Sequence, residues 1–163
     1  METKKLTEEL SVQLGLLKEL LELLKREAHD LADIRLEAMA EINARKEELS
    51  KEIEARGSQL RETISAVVAA AGLPEGSTLG QLAAHLKTQG KHEIGRLHED
   101  LNIVAVLIKQ ALEVNREVAE RFAASVKTSL DLLARLINQS NIYGATGGYQ
   151  QRLTGSVMIN REA

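Results

Sequence analysis

Apolar residues recur along the first part of the chain in alternating steps of four and three, at Leu10, Leu14, Leu17, Leu21, Leu24, Ala28 and Leu31. That is the spacing of a coiled-coil seam on one face of a helix. The seam runs on through Ile34, Ala38, Ile42, Lys46, Leu49, Ile53, Leu60, Ile64 and Val67. Between Leu6 and Ala71 there is no proline, and the glycines are Gly15 and Gly57. The pattern predicts one long helix, about 95 Å if continuous at 1.5 Å per residue, with continuity or a kink at Gly57 and Ser58 both compatible with it. Thr7 is the expected N-cap, with Glu8 and Glu9 in the first turn. Between Ala28 and Lys46 the alternation falters, but the irregularities cancel and the phase is disturbed only locally.

The segment GLPEGST, from Gly72 to Thr78, reads as the end of that helix. Gly72 fits the C-terminal cap and Pro74 blocks continuation. Thr78 followed by Gln81 is a capping-box pattern. It introduces a short amphipathic helix with Leu79, Leu82, Ala83 and Leu86 on one side, closed by Gly90. A second long helix is predicted from about Lys91 to Ser140. Its seam is Ile94, Leu97, Leu101, Val104, Ile108, Ala111, Asn115, Val118, Phe122, Val126, Ser129, Leu133 and Leu136. Asn115 sits on that apolar line, where a buried asparagine commonly fixes register.

The fold class that follows is all-α: an elongated antiparallel hairpin or bundle of two long helices and one short helix, with a flexible C-terminal tail. The expected domains are a helical bundle over 1–140 and a binding tail over 141–163. A hairpin of this kind places Ala71 near Lys91 and Leu24 near Asn138. The turns from Leu6 to about Leu21 then project beyond the second long helix. Their leucine stripe is wider than a two-helix seam requires, which marks an interaction surface.

Composition agrees with helices. The chain of 163 residues is 44% hydrophobic but only 2% aromatic, with one proline. A core without aromatics is filled by Leu, Ile, Val and Ala. Cysteine is absent, which excludes disulfides and thiolate zinc sites. His29, His85, His92 and His98 form no HExxH or i, i+4 histidine pair, so a metal site is not expected. The net charge of −3 is made of interspersed acids and bases, which gives no basic face for nucleic acid. No segment reads as a signal peptide or a membrane span. GATGG in the tail lacks the GK[ST] ending of a phosphate loop. The expectation is a non-catalytic protein without cofactor or metal.

The tail, SNIYGATGGYQQRLTGSVMINREA, is rich in Gly, Gln, Asn, Ser and Thr, the composition of a disordered end. It nevertheless holds both tyrosines, Tyr143 and Tyr149, together with Val157, Met158 and Ile159. A flexible segment with sparse anchors is the pattern of one that folds on binding.

Glu27, Asp30, Leu31, Lys46, Leu49, Arg56 and Leu60 in the first long helix, then Asn115, SLDLLARL (129–136) and YGATG at Tyr143, Gly144 and Gly147 together resemble the FlgN family of flagellar export chaperones. The resemblance covers nearly the whole chain; the second glycine and tyrosine of GGYQQRL depart from its pattern. It implies a cytoplasmic protein that binds the C-terminal segments of the hook–filament junction proteins FlgK and FlgL and delivers them to the export gate protein FlhA. Tyr143, with Gly144 and Gly147, is the position implied for gate docking. The expected client surface is Leu130 and Ile137 with Leu14, Leu17 and Leu21, while Val126 and Leu133, on the seam, are expected in the core. The alternatives are a structural coiled coil forming a permanent homodimer and a small helical regulator of another complex. A homodimer also stays open for the free chaperone.

Overall fold

The structure, a computed structural model, describes residues 2–140. Four helices and no strand occur among these residues: α1 (Glu2–Ala32), α2 (Leu36–Ala70), α3 (Leu79–Thr88) and α4 (Glu93–Ser140). The expected tail, 141–163, lies outside the described residues. The chain divides into two units, Met1–Glu120 and Arg121–Ala163, with the boundary inside α4.

The predicted first long helix is two helices. α1 ends at Ala32, and the chain turns through Asp33, Ile34 and Arg35 into α2. The turn is a Schellman motif: the Arg35 N–H donates to the Asp30 carbonyl (2.9 Å) and the Ile34 N–H to the Leu31 carbonyl (3.3 Å). The same pair of bonds closes α2, at Leu73 to Val68 and Gly72 to Ala69, and α3, at Lys91 to Leu86 and Gly90 to Lys87. In those two the left-handed residue is glycine, with φ of 70° at Gly72 and 78° at Gly90. In the first it is Ile34, at φ 59°. A glycine would have announced the break, but isoleucine does not, and the faltering seam between Ala28 and Lys46 was its trace. α2 passes through Gly57 and Ser58 without interruption.

The hairpin therefore forms between α1 and α2. Leu23 packs with Ile42 and Leu49, flanked by Leu16, Leu20 and Ile53. The Arg45 guanidinium reaches Glu19 at 2.7 Å, and the Gln13 amide donates to the Ile53 carbonyl at 3.4 Å. At the far end of the hairpin, Leu6 and Leu10 meet Val67 and Val68 of α2, Leu82, Ala83 and Leu86 of α3, and Ile94 of α4 in one core. The first turns of α1 do not project. α1 has α2 on one flank and α4 at Leu24, and two neighbours account for a leucine stripe wider than one seam. Thr7 is inside α1 rather than capping it, with its hydroxyl donating to the Thr3 carbonyl at 3.0 Å. The capping box of α3 is present, Gln81 N–H to Thr78 Oγ1 at 3.2 Å and Thr78 N–H to Gln81 Oε1 at 2.8 Å. Ala71 and Lys91 line one cavity, as the hairpin reading expected.

Leu24, expected near Asn138, is bonded to Asn115 instead. Its carbonyl accepts from the Asn115 amide at 3.0 Å, so α4 meets α1 here through Asn115. Asn115 is 8% exposed. Its Nδ2 also donates to Glu27 Oε2 at 2.7 Å, while Glu27 Oε1 receives the Lys46 ammonium at 2.5 Å. One carboxylate of α1 thus holds α2 and α4. With Glu27 and Lys46 both largely shielded from water, the pair is worth more than an exposed one.

Removing that carboxylate leaves a buried amide and a shielded ammonium short of partners. Glu27→Ala is expected to cost about 2 kcal/mol in urea unfolding. Glu47→Ala, which breaks an exposed i, i+4 pair with Lys51, is expected to cost about 0.5 kcal/mol or less. Equal losses would deny the network its role.

Candidate functional site

The expected client-facing residues fall into two groups, one in each unit. Leu14 and Leu21 are core residues, 7% and 6% exposed, and Leu17 is half-buried. Their expected availability came from the projecting helix, and folding α1 against its neighbours removes it. Leu130 and Ile137, on the last turns of α4, are each 59% exposed. Val126 and Leu133, expected in the core, are exposed too, as are Leu132 and Leu136.

The reason lies in the local sequence. Val126, Leu130, Leu133 and Ile137 follow one another in steps of four, three and four, which puts them in a single stripe. Leu136 and Leu132 widen it on one side, while Lys127, Asp131 and Arg135 take the opposite face. The helix is amphipathic here, and its apolar side is open among the described residues. Contiguous exposed apolar surface of this kind marks an interaction site. Tyr143, Gly144 and Gly147 lie outside the described residues.

A second exposed apolar set, Ile103, Val106, Leu107, Leu112 and Val114, lies on the part of α4 in the first unit. Ile103, Val106 and Leu107 fall in the uncharged run LNIVAVLI (101–108), which is the signal for them in the sequence.

The electrostatics are those of solvated helix faces. Hydrogen bonds to Glu19, Glu47 and Glu120 raise Arg45, Lys51 and Arg116, and the bond from Lys51 lowers Glu47. All are surface ion pairs, not groups poised in a cleft. Three of the histidines contact the residue four positions on: His29 beside Asp33, His85 beside Gln89 and His98 beside Asn102. Among the described residues no group of three or more His, Asp or Glu could hold a metal ion. A cavity of about 730 Å³ in the first unit is lined by Thr3, Thr7 and Ser11 of α1 and by Lys91 and His92, and gathers none of the expected site residues. No described helix is long and apolar enough to cross a membrane.

The residues that carried the family resemblance now have positions. Glu27, Lys46 and Asn115 form one hydrogen-bonded network, and Leu49 is fully buried in the core with Leu23 and Ile42. Asp30 is buried at the α1–α2 turn with the Arg35 guanidinium 3.6 Å away. The family model described as FlgN protein matches residues 1–151. The chain belongs to the FlgN family. That family ties it to flagellar export chaperones. Neither a curated protein nor a solved structure matches it. Within a FlgN protein, the network is scaffold and the open stripe near the end of α4 is the candidate working surface.

The geometry separates the two groups of leucines experimentally. Leu130→Asp with Ile137→Asp is expected to leave far-UV circular dichroism intact and stability within about 1 kcal/mol, since each side chain is exposed. Leu21→Ala is expected to cost about 2–5 kcal/mol. A double variant that unfolds would place the stripe in the core.

Proposed function

We propose that this FlgN-family protein is a cytoplasmic export chaperone for the hook–filament junction proteins FlgK and FlgL. It binds their C-terminal segments, prevents premature assembly, and delivers them to the export gate protein FlhA. The observation that carries this reading is the open stripe of Val126, Leu130, Leu133 and Ile137 in a chain of this family. A segment that assembles through helical contacts has an apolar stripe of its own. Left uncovered, that stripe associates prematurely. Laid against α4 it forms a helix-in-groove contact, read at i, i+4, i+7 and i+11. The occupied surface gains stability by mass action, and release at the gate exposes the client again.

Leu130 and Ile137 are the client contacts in this account, with Val126 and Leu133 between and beside them. Leu14 and Leu21 serve the scaffold. Tyr143, with Gly144 and Gly147, supplies gate docking, so client capture and delivery use neighbouring but separate positions of the chain. No catalytic step, cofactor or metal enters the account.

Calorimetric titration of the full chain with the C-terminal segment of FlgK from the same organism tests it. One-to-one binding with Kd below about 1 µM is expected, with a gain in helicity, and Leu130→Asp with Ile137→Asp weakens it at least ~100-fold. Tyr143→Ala keeps client binding and loses FlhA binding. Absence of heat with FlgK, and then with FlgL, would overturn the reading.

A further inference from the structure

The part of α4 in the first unit carries a second apolar line beside its buried one. Leu97 and Leu101 pack on the core, Val104 is buried, and Asn115 continues that line to α1. Ile103, Leu107, Gln110 and Val114 follow one another in steps of four, three and four on another line. Ile103 and Val114 each stand one residue before a buried position, Val104 and Asn115, so the second line is turned by about 100° from the first. Ile103 is 58% exposed, Val114 51% and Leu107 40%, with Val106 beside them. None of these side chains belongs to either core cluster.

The charges around this line decide what fits it. Glu99 and Asp100 stand one turn before Ile103, and Glu113 and Glu117 one turn after Gln110 and Val114, all exposed. Glu99 and Asp100 make no ion pair among the described residues. Lys109 lies about 130° round the helix from the line, and Arg96 and Arg121 stand two turns outside its ends. A second copy of this chain matches poorly. In parallel register each carboxylate meets its own copy; antiparallel, with Ile103 on Val114, Asp100 meets Glu117. Like charges set together across an interface work against it. An anionic lipid surface meets the same carboxylates.

We propose that this face of α4 docks a basic amphipathic helix of another protein. The partner's apolar stripe lies on Ile103, Leu107 and Val114, with Val106 at its edge. Its lysines or arginines sit near both ends of the contact, against Glu99 with Asp100 and Glu113 with Glu117. The uncharged middle supplies burial and the acidic ends select the partner's charge. The inference does not rest on the proposed function, because neither Leu130 nor Ile137 takes part.

Two synthetic helical peptides of about 20 residues, titrated by fluorescence anisotropy with the full chain, test the proposal. Both carry leucine at i, i+4, i+7 and i+11; one is flanked by lysine and the other by glutamate. The lysine peptide is expected to bind with Kd of about 10 µM or below, and the glutamate peptide at least ~10-fold more weakly. Ile103→Asp with Leu107→Asp alters exposed side chains, so helix content by circular dichroism is kept. That variant weakens lysine-peptide binding at least ~10-fold and leaves binding of the FlgK segment unchanged. Glu99→Lys with Asp100→Lys lowers the preference for the lysine peptide at least ~5-fold. Equal affinity for the two peptides, or binding of neither, would overturn the proposal. So would lysine-peptide binding that survives Ile103→Asp with Leu107→Asp. Loss of FlgK binding in that variant would make the client the occupant instead, and a dimer of the free chain that the variant dissociates would make it a second copy.

Discussion

The Glu27 carboxylate is where three helices of this protein are tied together. One oxygen takes the ammonium of Lys46 on α2 and the other takes the amide of Asn115 on α4. Asn115 also reaches the Leu24 carbonyl, one turn before Glu27 on α1. Leucine packing alone is permissive about sliding, because one leucine in a seam resembles the next. Directed hydrogen bonds in a shielded place are not, since a shift of register leaves them unmade. With α1 and α2 locked at this level, the cores on either side follow: Leu23, Ile42 and Leu49 within the hairpin, and Leu6, Leu10, Val67, Leu82 and Ile94 where all four helices meet.

The scaffold leaves apolar surface in two places on α4. In the first unit, Ile103, Val106, Leu107, Leu112 and Val114 are exposed although their chain neighbours Val104 and Asn115 are buried. In the second, Val126, Leu130, Leu133 and Ile137 are open on one stripe. Such surface is a liability unless a partner covers it. An export chaperone is a protein whose task requires it, because its client's apolar stripe must be matched by one of its own. The family assignment and the amphipathic end of α4 thus point to the same mechanism from different directions.

Much of this was legible in the residues. Thr78 with Gln81 marked the start of α3, while Gly72 and Gly90 marked helix ends, because capping boxes and left-handed C′ positions have narrow residue requirements. Asn115 stood out as a polar residue on an apolar line. Its partners did not, since Glu27 is 88 positions away along the chain. The turn at Ile34 was hidden because the position that usually takes glycine holds isoleucine. From that one omission came the others: the single long helix, the pairing of Leu24 with Asn138, and the projecting leucines. Leu130 and Ile137 were found as surface residues by lying beside the seam. Val126 and Leu133 were misread because periodicity identifies an apolar face but not whether anything covers it.

The central claim is that the open stripe on the last turns of α4 is the surface that receives a client helix. Amide hydrogen exchange of the full chain, with and without the C-terminal segment of FlgK, tests it most directly. The account predicts slower exchange across residues 126–137 on binding, with the α1–α2 hairpin unchanged. Protection confined to α1 and α2, with residues 126–137 exchanging as in the free chain, would contradict it.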